Sequence, residues 1–400
     1  MRQGCAADAN SAYAMRLFEA IPGIVIILGV LWDAFETLVL PRRVSRRFRL
    51  ARLFYRTTWG AWSAIGRRMR AGKFRELYLS VFGPLSLLTL FVFWAFGMVI
   101  GFALVHAGVG GAVASTGEPM TFPMDLYLSG TTFFTLGLGD VIPRTMPDRM
   151  VMVVESGLGF GFLALVIGYL PILYQSFSRR EITITLLDAR AGSPPTAAEL
   201  LRRYGPEERR GALHELLREW ERWSAQVLES HLSYPVLVYF RSQHDNQSWL
   251  AALTAILDTS ALCIVGLEKQ KNLQARLTFA MARHAVTDIA QTLNAHPRAP
   301  HPERLPAAEL RQLRERLRAA GICVERPDPA PAELSADERL RELRQMYEPY
   351  VNGLALRLLV ALPPWMPPGD AYYNWRTTRW ERSLAGIAAT AAVDEEDDHR

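Results

Sequence analysis

Residues 77–117 contain no Asp, Glu, Lys or Arg, while the stretch just before them, from Arg42 to Arg75, holds 12 basic residues and no acidic one. That juxtaposition constrains the fold more than any other feature of the chain. Crossing ~30 Å of hydrocarbon takes roughly 20 mostly apolar residues in a helix. Three segments meet that requirement, residues 22–40, 81–107 and 150–174. A fourth apolar stretch, 125–138, is too short to span and is expected to re-enter or cap. Such a chain is not a simple soluble enzyme. Its formal net charge of +5 is no nucleic-acid signal either: Lys and Arg outnumber Asp and Glu by 16 to 10 over residues 1–178, but stand at 29 to 30 beyond. The excess belongs to one basic block beside an apolar run, so no nucleic-acid partner is expected.

Basic loops stay cytoplasmic, so the first helix is expected to run inward, the second outward and the third inward again, ending at Arg179 and Arg180. This gives a multi-pass protein of the cell inner membrane, with an external segment 1–21 and a cytoplasmic C-terminus. Positive charge follows the first apolar run rather than preceding it, which marks an uncleaved anchor. Within the connector 41–80, residues 51–69 mix Leu53, Phe54, Trp59, Trp62 and Ile65 with arginines. That pattern suits an interfacial helix on the anionic inner leaflet, with a solvated connector as the alternative. Cys5, Cys263 and Cys323 are widely spaced and define no disulfide framework or metal site.

The informative string is SGTTFFTLGLGDVIP, residues 129–143, between two spanning segments. A pore that strips a cation of water replaces its hydration shell with backbone carbonyls turned to one axis. Gly137 and Gly139 give the backbone access to positive φ, Thr135 can add a hydroxyl ring, and Asp140 places a carboxylate at the mouth. Over residues 81–177 the chain resembles the potassium-channel pore family, whose signature reads TVGYGD and whose parts follow the same order: outer helix, short pore helix, filter, inner helix. The resemblance implies that Thr135, Leu136, Gly137, Leu138 and Gly139 line the filter, that Asp140 buttresses it, and that one loop per chain makes a homotetramer. It also places Gly159 at the inner-helix hinge and gives Pro143 and Arg149 counterparts in bacterial members. Leu138 replaces the family's aromatic residue, and Thr131 stands where some bacterial members carry a Glu paired to the outer-mouth Asp.

Glu155 is the only charge between Met150 and Phe177, and an ionisable group at that depth is a functional candidate. It is expected to hydrogen-bond the pore helix near Thr131 or Thr132 as filter support; the alternative is a carboxylate reaching the outer interface. Gly157, Gly159, Gly161 and Gly168 allow either close helix approach or bending, and Pro171 removes a backbone hydrogen bond near the cytoplasmic end. Gating is therefore assigned to Gly159 and Pro171. Asp33 and Glu36 share one helix face and are expected to meet arginines of the basic block or a neighbouring helix.

Residues 178–393 read as a helical cytoplasmic regulatory or assembly domain, followed by an acidic tail, 394–400. Thr196 with Glu199 and Ser335 with Glu338 have the spacing of helix-capping boxes. Residues 181–187, EITITLL, suit a short strand or a frayed helix end. The apolar window 248–267 carries one charge, Asp258, and is expected to be a buried helix of a soluble bundle. No GxGxxG lies between a strand and a helix. His284 with Asp288 and His244 with Asp245 are not spaced as metal ligands, and Trp220, Trp223, Tyr234, Tyr239, Phe240 and Trp249 read as core.

The expected protein is thus an all-α membrane protein with three transmembrane helices, a re-entrant pore helix and filter loop, and a helical cytoplasmic domain. Its expected work is passive potassium-type conduction, with no catalytic residue, no cofactor, and no metal beyond permeant K+ in the filter. A poorly selective cation channel is one alternative. The other is a non-conducting membrane anchor for a cytoplasmic sensor whose ligand or partner the sequence does not name.

Overall fold

Helices form where apolar runs and capping residues coincide. The computed structural model describes residues 18, 20–40, 50–110, 112–114, 120–243, 247–266, 273–299, 302–322 and 335–367. Most of segment 1–21, Arg42 to Arg49 of the basic block, Cys5, Cys323, Glu118, the His244–Asp245 pair and the acidic tail lie outside the described residues. Among the described residues, four helices are long and apolar enough to cross a membrane: α1 (Ala20–Val39), α3 (Lys73–Val109), α5 (Met146–Ala191) and α8 (Trp249–Gly266).

The chain divides into two compact units. The first is Met1–Phe177 with Leu232–Phe240, and the second is Ser178–His231 with Arg241–Arg400. In the first, α1 ends in a π-helical turn, Phe35–Val39, and α2 (Leu50–Arg68) precedes α3. Helices α1 and α3 cross at glycines: a Cβ on Gly23 would lie 2.4 Å from the Gly101 carbonyl oxygen, a close approach that only small residues permit. Asp33 resolves its own burial by accepting hydrogen bonds from the Ala51 amide, at 3.0 and 3.2 Å, and from the Trp94 indole at 3.0 Å. It therefore meets neighbouring helices, capping the start of α2, where an orphan helix amide needs an acceptor. Glu36 accepts from the Trp32 indole at 2.9 Å.

Helix α3 closes at Gly110, which takes a left-handed conformation and donates to the His106 carbonyl. Two short strands, β1 (Ala112–Ala114) and β2 (Val141–Pro143), pair antiparallel with Ala112 opposite Pro143. They bracket α4 (Phe122–Phe133). The core gathers Phe91, Trp94, Met98, Phe102, Phe133 and Tyr169. Val236 and Leu237 enter that same core, and Tyr239 packs between Trp59 and Phe82, at ring-centroid distances of 4.9 and 5.2 Å. Leu232–Phe240 thus departs from the sequence reading, which grouped it with residues 178–393. Its apolar residues complete the core of the first unit.

Residues 181–187 form neither a strand nor a frayed end; they continue α5 to Ala191. The second unit also contains α6 (Ala197–Tyr204), α7 (Arg210–Ser233), α8, α9 (Leu273–Thr292), α10 (Ala307–Ala319), α11 (Ala336–Gln345) and α12 (Glu348–Leu358). Thr196 caps α6 by accepting from the Glu199 amide, and Ser335 with Glu338 forms a reciprocal capping box on α11. Trp220, Trp223 and Trp249 are buried. All residues of α8 from Trp249 to Val265 are buried. Its Asp258 is held by Arg304, with contacts of 2.6 and 3.3 Å, and accepts from the Tyr347 hydroxyl. Arg304 also reaches Glu348 at 3.2 Å. An ion pair this complete satisfies a carboxylate that would otherwise be prohibitive in an apolar core.

Candidate functional site

The site is built at the C-terminal end of α4, where the helix stops and the chain turns back toward β2. Phe134 N–H still bonds the Gly130 carbonyl, whereas Leu136 and Gly137 N–H both turn to Thr131 O, at 2.7 and 3.3 Å. Thr131 contributes through its backbone, and its hydroxyl donates to Leu128 O on its own helix. Beyond this anchor φ is positive at every second residue: 58° at Thr135, 55° at Gly137 and 81° at Gly139. Glycine adopts that region freely; threonine does so at a cost of ~1–2 kcal/mol. Strain of this kind concentrates at functional sites. A backbone with positive φ at every second residue is able to turn successive carbonyls toward one side, as a carbonyl filter requires. The loop packs on little within the protomer: residues 134–140 are all exposed, with Leu136 at 63% and Leu138 at 64%.

Asp140 follows the loop, its carboxylate accepting from the Val141 amide at 3.2 Å, with the Tyr127 side chain of α4 in its field. Tyr127 is not among the site residues expected from sequence. A Tyr one turn into a short helix, and a GxGD aspartate after it, was the available signal.

Glu155 lies in the first third of α5 and is fully buried. Its Oε1 meets the Ser129 hydroxyl of α4, and its Oε2 lies 2.9 Å from His106 Nε2 of α3. The carboxylate thus reaches α4, but at Ser129, two residues before Thr131 and three before Thr132. His106 also contacts Asp148 Oδ1 through Nδ1, at 2.5 Å. His106, Ser129 and Asp148 escaped the sequence reading. The signal was present in that His106 is the one titratable side chain in the charge-free run 77–117 other than Tyr78.

Gly159 sits directly under the site: a Cβ there would fall 2.1 Å from the Phe133 carbonyl oxygen. Close packing of α5 against the end of α4 explains this glycine. Gly157, Gly161 and Gly168 have open space around their Cβ positions within the protomer. Pro171 lies inside α5, which stays helical through it. Among the described residues no group of His, Cys, Asp and Glu could hold a metal ion. His284 is paired with Asp288 at 3.5 Å.

Residues 88–176 match the model of a family described as ion channel, of the two-helix potassium-channel pore type. This stretch contains most of α3, all of α4, the strained loop and the first part of α5. A Bacillus subtilis (strain 168) protein described as uncharacterized membrane protein YdjJ is 22% identical over 258 residues, covering 63% of this chain and 74% of the relative. No solved structure matches the chain.

Proposed function

We propose that the protein is a homotetrameric, potassium-type cation channel of the cell inner membrane. The observation that carries this reading is the alternation of positive φ at Thr135, Gly137 and Gly139 in an exposed loop inside the ion channel match. Four such loops around one axis would give rings of carbonyls able to replace the water around K+. Residues Thr135 to Gly139 form the filter, and Asp140, beside Tyr127, holds its outer mouth. Gly159 seats the inner helix beneath the filter, Glu155 supports the pore helix through Ser129, and Pro171 marks the flexible part of the gate. Transport is passive and needs no cofactor.

Three helices span in this reading, α1, α3 and α5. The N-terminus is external and the second unit cytoplasmic. Helix α2 supports that orientation: Arg52, Arg56, Arg67 and Arg68 are exposed together with Leu53 and Ile65, as suits an interfacial helix on anionic lipid.

The test is flux through the purified chain in liposomes under a potassium gradient, repeated with sodium and with barium as blocker. Potassium-selective, barium-sensitive flux that Gly137→Ala abolishes, with the tetramer intact by light scattering, is the expected result. Equal sodium flux would favour a loosened filter, for which exposed Leu138 in place of an aromatic is the specific reason. No flux, together with a ligand or partner bound by the second unit, would make the membrane part an anchor.

A further inference from the structure

His106 presents a proton-counting problem. Its two ring nitrogens face two different carboxylates, Nδ1 at 2.5 Å from Asp148 and Nε2 at 2.9 Å from Glu155, and all three side chains are shut off from solvent. A neutral imidazole has a single N–H, and an ionised carboxylate has none to offer the second nitrogen. One additional proton must therefore reside in the cluster. Placed on the ring, it turns both contacts into charge-assisted hydrogen bonds. Ser129 adds a constraint, because its single hydroxyl hydrogen faces both the Val99 carbonyl, at 2.8 Å, and Glu155 Oε1. Asp125, buried in the first turn of α4, is the third carboxyl in the field of the ring. Asp148 Oδ2 has no hydrogen-bond partner among the described residues. None of the three carboxyls pairs with a Lys or Arg among the described residues, so the imidazole is the cluster's only cation.

We propose that His106 is a positioning residue for the filter, a doubly protonated strut that ties α3 to α5 and, through Glu155 and Ser129, fixes α4 beneath the loop. Removing its proton leaves one carboxylate facing a bare nitrogen lone pair, which loosens α5 from α3 and the pore helix from both. Ion flux is then maximal while the ring is charged and falls as pH rises through the titration of the cluster. Asp148 from α5, Glu155 from α5 and Asp125 from α4 set where that titration lies. The inference rests on the channel reading for its consequence but not for its chemistry.

The experiment uses the full chain in lipid nanodiscs, labelled with 15N-histidine, with the His106 signal assigned by its loss in His106→Gln. Both ring nitrogens protonated at neutral pH, and a midpoint moved downward by about one pH unit in Glu155→Gln as one negative neighbour is neutralised, is the expected result. A ring neutral at neutral pH, or a midpoint that Glu155→Gln leaves in place, overturns the proposal. Flux in liposomes is then measured over the same pH range. Wild-type flux should decline across the NMR midpoint, and His106→Gln should be low and flat with pH. A His106→Gln chain that keeps the wild-type pH profile overturns the proposal. If His106→Gln does not assemble, the matched shift of midpoint and flux profile in Glu155→Gln decides. A ring that titrates as expected in a chain silent to every cation supports the strut and overturns the channel reading, which keeps the two failures apart.

Discussion

Helices α5 and α8 are both long and apolar enough to cross a membrane, yet the protein buries 89% of the most apolar window of α8 and only 11% of that of α5. Hydropathy measures reluctance to stay in water and is silent about what receives the helix. Helix α8 finds its receiver within its own chain, among α6, α9, α11 and α12. Helix α5 leaves Val153, Phe160, Leu163 and Ile167 exposed, the surface that in the proposed channel meets lipid and other copies of the chain. The two also differ in how they satisfy a buried acid. Asp258 of α8 is held by Arg304, whose charge is permanent. Glu155 of α5 is held by a histidine and a serine, an arrangement that a single proton can change.

The largest expected effect breaks one side of this comparison. Gly159→Val places side-chain atoms where the Phe133 carbonyl oxygen lies 2.1 Å from an added Cβ, so α4 or α5 must shift and the filter loop with it. Flux should fall to background, while unfolding of the second unit, followed by tryptophan fluorescence, stays unchanged. Retained flux would mean that the end of α4 does not need this contact.

On the other side, Asp258→Ala leaves Arg304 in the core without its main partner and should destabilise the chain by about 3 kcal/mol, read by chemical denaturation in detergent. Adding Arg304→Met should restore most of that loss. The sign is decisive. An Asp at the centre of a lipid-embedded helix opposes insertion by ~2.5–3.5 kcal/mol, so a stabilising Asp258→Ala would place α8 in the membrane and undo the contrast with α5.

These two predictions draw on different degrees of legibility. The apolar runs announced α3 and α5 because length and hydropathy suffice for a spanning helix. Gly137 and Gly139 announced a loop with positive φ because few other residues take it. Thr135 at 58° did not, since threonine avoids that region unless its surroundings force it. Gly159 was visible as an oddity in a helix, but hinge and close contact leave the same mark on a sequence, and only the contact with the Phe133 carbonyl can be seen in one conformation. Glu155 meets Ser129 rather than Thr131 or Thr132 because the rotation of α4 against α5 is set by tertiary packing. Leu232–Phe240 was assigned by its position in the chain, whereas its contacts are with Trp59, Phe82 and the core of the first unit. Such long-range pairings carry no local signature.

A smaller effect comes from His231, which is buried, accepts from Arg180 through Nε2 at 3.2 Å, and meets the Val227 carbonyl through Nδ1 at 2.8 Å. Burial first, and then the charge of Arg180, hold the imidazole well below its ordinary value of 6.5. The folded chain therefore keeps this ring neutral, while the unfolded chain takes up a proton as pH falls past its ordinary value. Stability is complete above that value and is lost below it, at up to about 1.4 kcal/mol per pH unit. Denaturation midpoints between pH 7 and pH 5 should show the slope, and His231→Gln should remove it. A slope unaffected by that substitution would assign it to the carboxylates of the second unit.

The smallest expected effect tests whether the second unit is as self-contained as α8 suggests. Thr196 is fully buried, and its hydroxyl accepts from the Glu199 amide at 3.3 Å at the start of α6, the helix that packs against α8. Thr196→Ala strands that amide and should lower stability by about 1 kcal/mol, with Thr196→Ser recovering most of it. The loss should be independent of pH, which separates it from His231, and should leave flux in liposomes unchanged. A drop in flux with the alanine variant, reversed by the serine variant, would show that a hydrogen bond at the edge of the α8 core is felt at the filter, and the two units would then have to be treated as one energetic system.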